Sequence, residues 1–188
     1  TSQGIQAIVG RSDLLRKISF PKWIIVVSST ITALINFLIN LCVIIVFALL
    51  NGVTPSFTWL LAPLVILELY LLSLGIAFFL GSINVKYRDI SSIWEVLMQA
   101  LFYAVPIIYP ITMVSASSVV AAKVLLLNPI AQVIQDARYL LITDQSITVW
   151  NFIDNIFLRF LPVLITLFIL AIGSIYFRKH SKYFAEEA

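Results

Sequence analysis

One acid interrupts the apolar run from Phe57 to Ile83, and it is Glu68. A charge at membrane depth costs about 2.5–3.5 kcal/mol on insertion scales, so it belongs against a protein interior or a wet path. Two chemistries suit it: binding of a proton or substrate, or a protonated, hydrogen-bonded packing contact. The other reactive residue types point away from catalysis. His180 is the single histidine and stands in a basic tail, Arg178-Lys-His-Ser-Lys182, where it reads as solvated. Cys42 is the single cysteine and lies in an apolar stretch, which excludes a disulfide framework and reads as a small core side chain. No Walker motif, metal-ligand spacing, Ser/His/Asp set or dinucleotide fingerprint is present. The sequence therefore assigns no catalytic residue and no metal ligand, and the chain is expected not to be an enzyme.

The elements that must position Glu68 are four apolar blocks: 23–50, 57–83, 93–113 and 157–177. The first would be about 42 Å long as a helix, against a bilayer core of about 30 Å. Only helices and closed barrels satisfy their own backbone in lipid, and blocks of this length are too long for barrel strands. The fold class is all-α, a polytopic helical membrane protein. Composition agrees: of 188 residues, 61% are hydrophobic and 11% charged, where a soluble domain carries about 25% charged. The net charge of +3 reflects topology rather than nucleic-acid binding. Arg11, Arg16, Lys17 and Lys22 precede the first block, Lys86 and Arg88 lie between the second and third, and Arg178, Lys179 and Lys182 follow the fourth. By the positive-inside rule, both ends and the 84–92 loop are cytoplasmic, and the 51–56 and 114–156 links are external. The location expected is a bacterial or archaeal cytoplasmic membrane.

Within residues 1–22, Ser12 suits an N-cap, Asp13 the positive end of a helix, and Arg16 and Lys17 its last turn. Leu14, Leu15 and Ile18 give this short helix an apolar side, and Phe20-Pro21 ends it. Such a helix is either an interfacial stop or a docking element. Pro106 and Pro110 forbid an undisturbed helix through the third block, so a kink or end is expected there. Phe102, Tyr103 and Tyr109 would form either an aromatic belt or the wall of a sugar path. In the 114–156 link, Asn128-Pro129 is a cap followed by a first turn. Ile130, Val133, Ile134, Ala137, Leu140 and Leu141 then recur at helical spacing, with Gln132, Gln135, Asp136 and Arg138 on the other side. With the apolar stretch 117–127, they read as two short helices that dip into the outer leaflet and return. They either lie flat on the membrane or gate a pathway.

Four segments stand in a familiar order: AIVGRSDLLRKISFPKW (7–23), NVKYRDISSIWEVLMQALFYAVPIIYP (84–110), LLNPIAQVIQDARYLL (126–141) and the basic C-terminus. Together they resemble the permease subunit of type-2 ABC exporters, in the branch that exports O-antigen, capsule or teichoic acid polymers. Members of that family have six spans, so the resemblance implies that this chain lacks the first two; its opening Thr-Ser-Gln-Gly, without Met, agrees with an N-terminal truncation. It further implies that Ser12 to Phe20 with Pro21 is a coupling helix seated on an ATPase subunit. Lys86, Arg88 and Asp89 would make a second contact with that ATPase, and the region from Pro106 to Leu141 would hold re-entrant gate helices. The implied assembly is a permease homodimer with two ATPase copies, which bind the ATP and magnesium, and a lipid-linked polymer as substrate. Membrane lipids surround it and nucleic acid has no part. Glu68, Phe102, Tyr103, Pro106, Tyr109, Pro110, Asn128 and Pro129 would lie on the translocation path or gate. Competing readings are a permease for a drug or lipid, an ion-coupled transporter with Glu68 as carrier acid, and a membrane scaffold.

Overall fold

The structure is a computed structural model that describes residues 1–10 and 21–181. Ser12, Asp13, Leu14, Leu15, Arg16, Lys17, Ile18 and Phe20, the expected coupling helix, lie outside the described residues, as does Lys182. The described residues are mostly helical and hold no strand. In chain order the helices are α1 (Ser2–Val9), α2 (Trp23–Leu50), α3 (Ala62–Lys86), α4 (Ile90–Ala104), α5 (Ile111–Ser117), α6 (Val119–Leu126), α7 (Pro129–Leu141), α8 (Val149–Phe152), α9 (Ile156–Arg159) and α10 (Leu161–His180). A 3₁₀ turn, Phe57–Leu61, leads into α3.

Three helical stretches are long and apolar enough to cross a membrane: Trp23–Leu50, Phe57–Lys86 and Leu161–His180. A fourth crossing is available if α6 and α7, bent by 94° at their junction, count as one broken span. This is the all-α, polytopic class that composition requires. The 93–113 block is not one continuous helix. α4 has 15 residues, about 22 Å at 1.5 Å per residue, short of a bilayer core. It stops where the chain meets Val105-Pro106, and Pro110 then starts α5 as its N-cap in extended conformation. The prolines thus end the helix outright, since neither can donate to the ladder.

The chain divides into two compact units, residues 1–38, 70–98 and 167–188, and residues 39–69 and 99–166. The first unit has a core of Ile8, Ile25, Val26, Ala77, Phe78, Val85 and Phe177. α1 belongs to it and has no counterpart in the sequence reading; its signal is the pair Ile5 and Ile8, one turn apart and both fully buried. Backbones approach closely here because small residues allow it. A Cβ added at Gly4 would sit 2.7 Å from the Cβ of Ala77, and one at Gly75 would sit 2.7 Å from the Cα of Leu170. A Cβ at Gly173 would collide with the carbonyl oxygen of Gly75. α3 and α10 therefore touch backbone to backbone, flanked by Phe78 on Phe177 and Phe79 on Tyr176, with centroids 4.9 and 5.1 Å apart.

Asn84, buried near the end of α3, closes this unit with both ends of its amide. Its Oδ1 accepts from the Ser91 amide at 3.2 Å, and its Nδ2 donates to the Ile5 carbonyl at 3.4 Å. The turn it braces, Lys86 to Asp89, is exposed. Lys86, Arg178, Lys179 and His180 occupy the last turns of α3 and α10, where the helix dipole favours cations.

The second unit has a core of Ile111, Ala122, Leu126, Val149 and Ile153. Side chains cap its helices: Ser118 accepts from the Ala121 amide, Asn128 from Ile130 and Asn155 from Phe157. Pro129 follows Asn128 as the first residue of α7. Gly52, at φ 86°, is the one left-handed residue described, and it turns the chain after α2.

The contact between Gly75 and Gly173 makes a sharp prediction. Replacing Gly173 by Leu forces two packed backbones apart, which typically costs about 1–3 kcal/mol. The variant protein in detergent should aggregate at a lower temperature, scored by size exclusion after heating. Gly10→Leu, whose added Cβ would have the Gln6 carbonyl as its nearest neighbour at 3.2 Å, should be the milder of the two.

Candidate functional site

The second unit holds the polar cluster. α7 carries Gln132 and Asp136 four residues apart, hence on one face. That face is turned inward: Gln132 and Gln135 are each 2% exposed and Asp136 is 6% exposed. The sequence places these residues opposite the apolar stripe, and the structure packs both sides of the helix. Glu68 lies in the second turn of α3, close to the middle of the Phe57–Lys86 stretch and on its Phe57 side, and is partly buried.

The Gln132 side-chain nitrogen donates to both acids, to Asp136 Oδ2 at 2.7 Å and to Glu68 Oε2 at 3.3 Å. Trp150 adds a third donor, its indole N–H reaching Asp136 Oδ2 at 3.3 Å. Trp150 is itself held edge-on against Phe160, centroids 5.3 Å apart. Glu68 Oε1, Gln132 Oε1 and Asp136 Oδ1 are buried and accept no hydrogen bond from the described residues. The four residues line a cavity of about 440 Å³ whose other walls include Leu61, Leu64, Val65, Leu140 and Val163. No lysine or arginine lines it.

The cations of this unit are engaged elsewhere. Lys123 stands 3.9 Å from Asp154. Arg138 donates to the Ile107 carbonyl at 2.6 Å, tying α7 to the turn after α4. Arg159 donates to the Ile153 carbonyl at 2.6 Å. Arg159 falls inside the apolar block 157–177, and the structure explains how it is tolerated there. It ends the short α9 ahead of α10, outside the long helix.

Of the path or gate residues read from the sequence, only Glu68 lines this cavity. Phe102 and Tyr103 are exposed at the end of α4, in edge contact with each other. Pro106 is buried, Pro110 exposed, and the Tyr109 hydroxyl donates to the Ala104 carbonyl at 3.1 Å. Asn128 and Pro129 open α7 at its junction with α6. The sequence reading missed that Gln132 bridges Glu68 to Asp136 and that Trp150 is a partner of Asp136. Only the Gln132/Asp136 spacing was available as a signal, and it says nothing of the helix that faces it.

Chemically the cluster is an acceptor-rich, desolvated site. It has no nucleophile with an adjacent base, and the described residues include no group of three His, Cys, Asp or Glu placed to hold a metal.

The long apolar helices and the sharply bent α6–α7 pair make this an all-α, multi-pass membrane protein. Relatives make this specific. The chain is 33% identical over 126 residues to the O-antigen export system permease protein RfbA of Myxococcus xanthus, covering 67% of this chain and 48% of that protein. Two proteins of the same name from Klebsiella pneumoniae are each 26% identical, over 136 and 138 residues, covering 70% and 71% of this chain. The chain spans about half the length of these relatives. No family model matches it. The chain is thus a homologue of O-antigen export permeases, which are type-2 ABC exporter permeases, and it is a multi-pass membrane protein.

The amide bridge has a measurable consequence. Gln132→Leu deletes the donor shared by two buried acids, and a hydrogen bond to a charged group contributes about 1.5–3 kcal/mol. The variant should lose monodispersity at a lower temperature than the parent, and Gln132→Asn, which keeps the amide on a shorter arm, should fall between them.

Proposed function

We propose that this chain is the membrane-spanning part of an ATP-driven exporter that moves a lipid-linked polysaccharide across the cytoplasmic membrane. The observation that carries this reading is the identity shared with O-antigen export permeases over two thirds of the chain. The distribution of charge supports it. In the first unit, Lys22 precedes α2, Lys86 and Arg88 bracket the exposed turn after α3, and Arg178 and Lys179 end α10. A basic rim of this kind belongs on the cytoplasmic side.

In this reading the permease performs no chemistry. A separate ATPase subunit, present in two copies against a permease homodimer, binds ATP and magnesium. Its closure pushes on the 11–20 segment and on the Lys86–Asp89 turn. Rigid helices then convey the push as a rigid-body displacement. The α6–α7 pair acts as the outer gate, with Asn128 and Pro129 at its junction and Pro106 and Pro110 flanking the turn to which Arg138 ties α7. A groove of about 620 Å³ beside it suits a sugar chain, since Trp59 and Tyr139 offer flat faces while Ser56 and Thr58 offer hydroxyls.

Co-purification tests the proposal. The full-length protein, co-expressed with the ATPase encoded beside it, should retain that ATPase through detergent extraction. Leu14→Asp with Leu15→Asp should abolish retention while the membrane level stays unchanged. Arg88→Glu should weaken it by no more than about fivefold, since an exposed ion pair is worth 0–1 kcal/mol. An ATPase absent from the wild-type preparation would overturn the exporter reading.

A further inference from the structure

We propose that Asn84 is a positioning residue, the joint through which the Lys86–Asp89 turn and α1 move as one body. The proposal rests on the exporter reading only for what the joint conveys. The joint itself stands on hydrogen bonds within the first unit. Asn84 lies in the last turn of α3 and is 3% exposed, so its amide has to find partners inside the protein. Both ends do, and they reach different elements.

The oxygen end faces α4. Ser91 is the second residue of that helix, and its amide is one that a first turn leaves open. The residue just before a helix ordinarily accepts from such an amide. Here the acceptor is Asn84 Oδ1, seven residues back across the turn, at 3.2 Å. Within the turn each carbonyl is also used: Tyr87 accepts from the Ile90 amide, Arg88 from the Ser91 hydroxyl and Asp89 from the Ile93 amide. Four exposed residues, Lys86 to Asp89, thus stand on a backbone held from within. The nitrogen end faces α1, where Nδ2 donates to the Ile5 carbonyl at 3.4 Å. α1 packs directly on α3 there: a Cβ added at Gly81 would stand 3.4 Å from the Gly4 carbonyl oxygen and 3.8 Å from Ile5 Cα. Trp94 closes the triangle from α4, its indole N–H donating to Thr1 Oγ1 at 3.0 Å. Gly10 alone separates α1 from the 11–20 segment. One buried amide therefore links the turn to the helix that leads into the other stretch which the exporter reading sets against the ATPase.

Double electron–electron resonance on the full-length protein tests this. Nitroxides are placed at Gln6→Cys and Arg88→Cys, both exposed, in a background without other cysteines and diluted with unlabelled copies. The parent should give one narrow distance distribution, unchanged when the co-purified ATPase is closed with a non-hydrolysable ATP analogue and magnesium. Asn84→Leu, which keeps the size and loses both bonds, should broaden it about twofold while the ATPase is still retained. Asn84→Asp keeps an acceptor for Ser91 and should fall between. Phe78→Leu loosens the core of the same unit away from the turn. It should aggregate at a lower temperature and leave the distribution narrow, which separates positioning from general stability. A distribution still narrow in Asn84→Leu would overturn the proposal, as would equal broadening in Phe78→Leu or a parent distance that shifts on closure. Where Asn84→Leu fails to fold, the width in Asn84→Asp decides. The widths are read without the ATPase, so failure of the joint and failure of the exporter reading are told apart.

Discussion

In hydrocarbon every backbone N–H and C=O must find a partner within the protein, and this requirement shapes each place where the chain stops being helical. The second unit breaks its helices repeatedly, and side chains supply partners at those breaks. Asn128, Ser118 and Asn155 accept from amides that the first turns of α7, α6 and α9 leave open. Arg138 satisfies the Ile107 carbonyl, Arg159 that of Ile153, and Thr58 that of Leu140 at 3.1 Å. Arginines that look out of place in apolar sequence are thus structural donors, placed where prolines or turns expose carbonyls.

The first unit meets the same requirement differently. Its long helices keep their ladders intact, so little is left to patch, and stability depends on how closely the helices pack. Gly75 and Gly173 remove the side chains that would separate α3 from α10, and the aromatic pairs on either side fill the remaining space. Where the chain does turn, at Lys86 to Asp89, one buried asparagine braces the α3–α4 turn against α1. A rigid, braced turn is what a cytoplasmic contact would require in order to transmit force.

The sequence disclosed those features whose signal is local. Hydropathy marked the long helices, Asn128-Pro129 marked the start of α7, and Pro106 with Pro110 marked the break after α4. Hydropathy alone runs through residues 93–113, and it is the two prolines within that block that say where its helix stops, at Ala104. The sequence reading missed α1, whose eight residues are held by Ile5 and Ile8 packing rather than by a propensity that could be read in isolation. For the cluster, Glu68 was visible as an anomaly, since a lone acid in an apolar run needs a reason. Its partners were not, because Gln132 and Asp136 are 64 and 68 positions away, and no periodicity within α7 says what packs against its polar face.

That polar face also explains why α7 is the least apolar helix of its unit and yet is packed on both sides. A helix with Gln132, Gln135 and Asp136 on one side would ordinarily turn that side to water. Here the side finds an acid on α3 and an indole on α8, so its polar groups are partly satisfied without solvent. Partial satisfaction is the informative part: the network holds its members in place through one amide while leaving three acceptors over. A purely structural network would gain by closing on itself, because each buried acceptor left open costs about 1–3 kcal/mol. A proton held by one of the two acids would close one of these gaps from within, since a protonated carboxyl brings an O–H donor of its own.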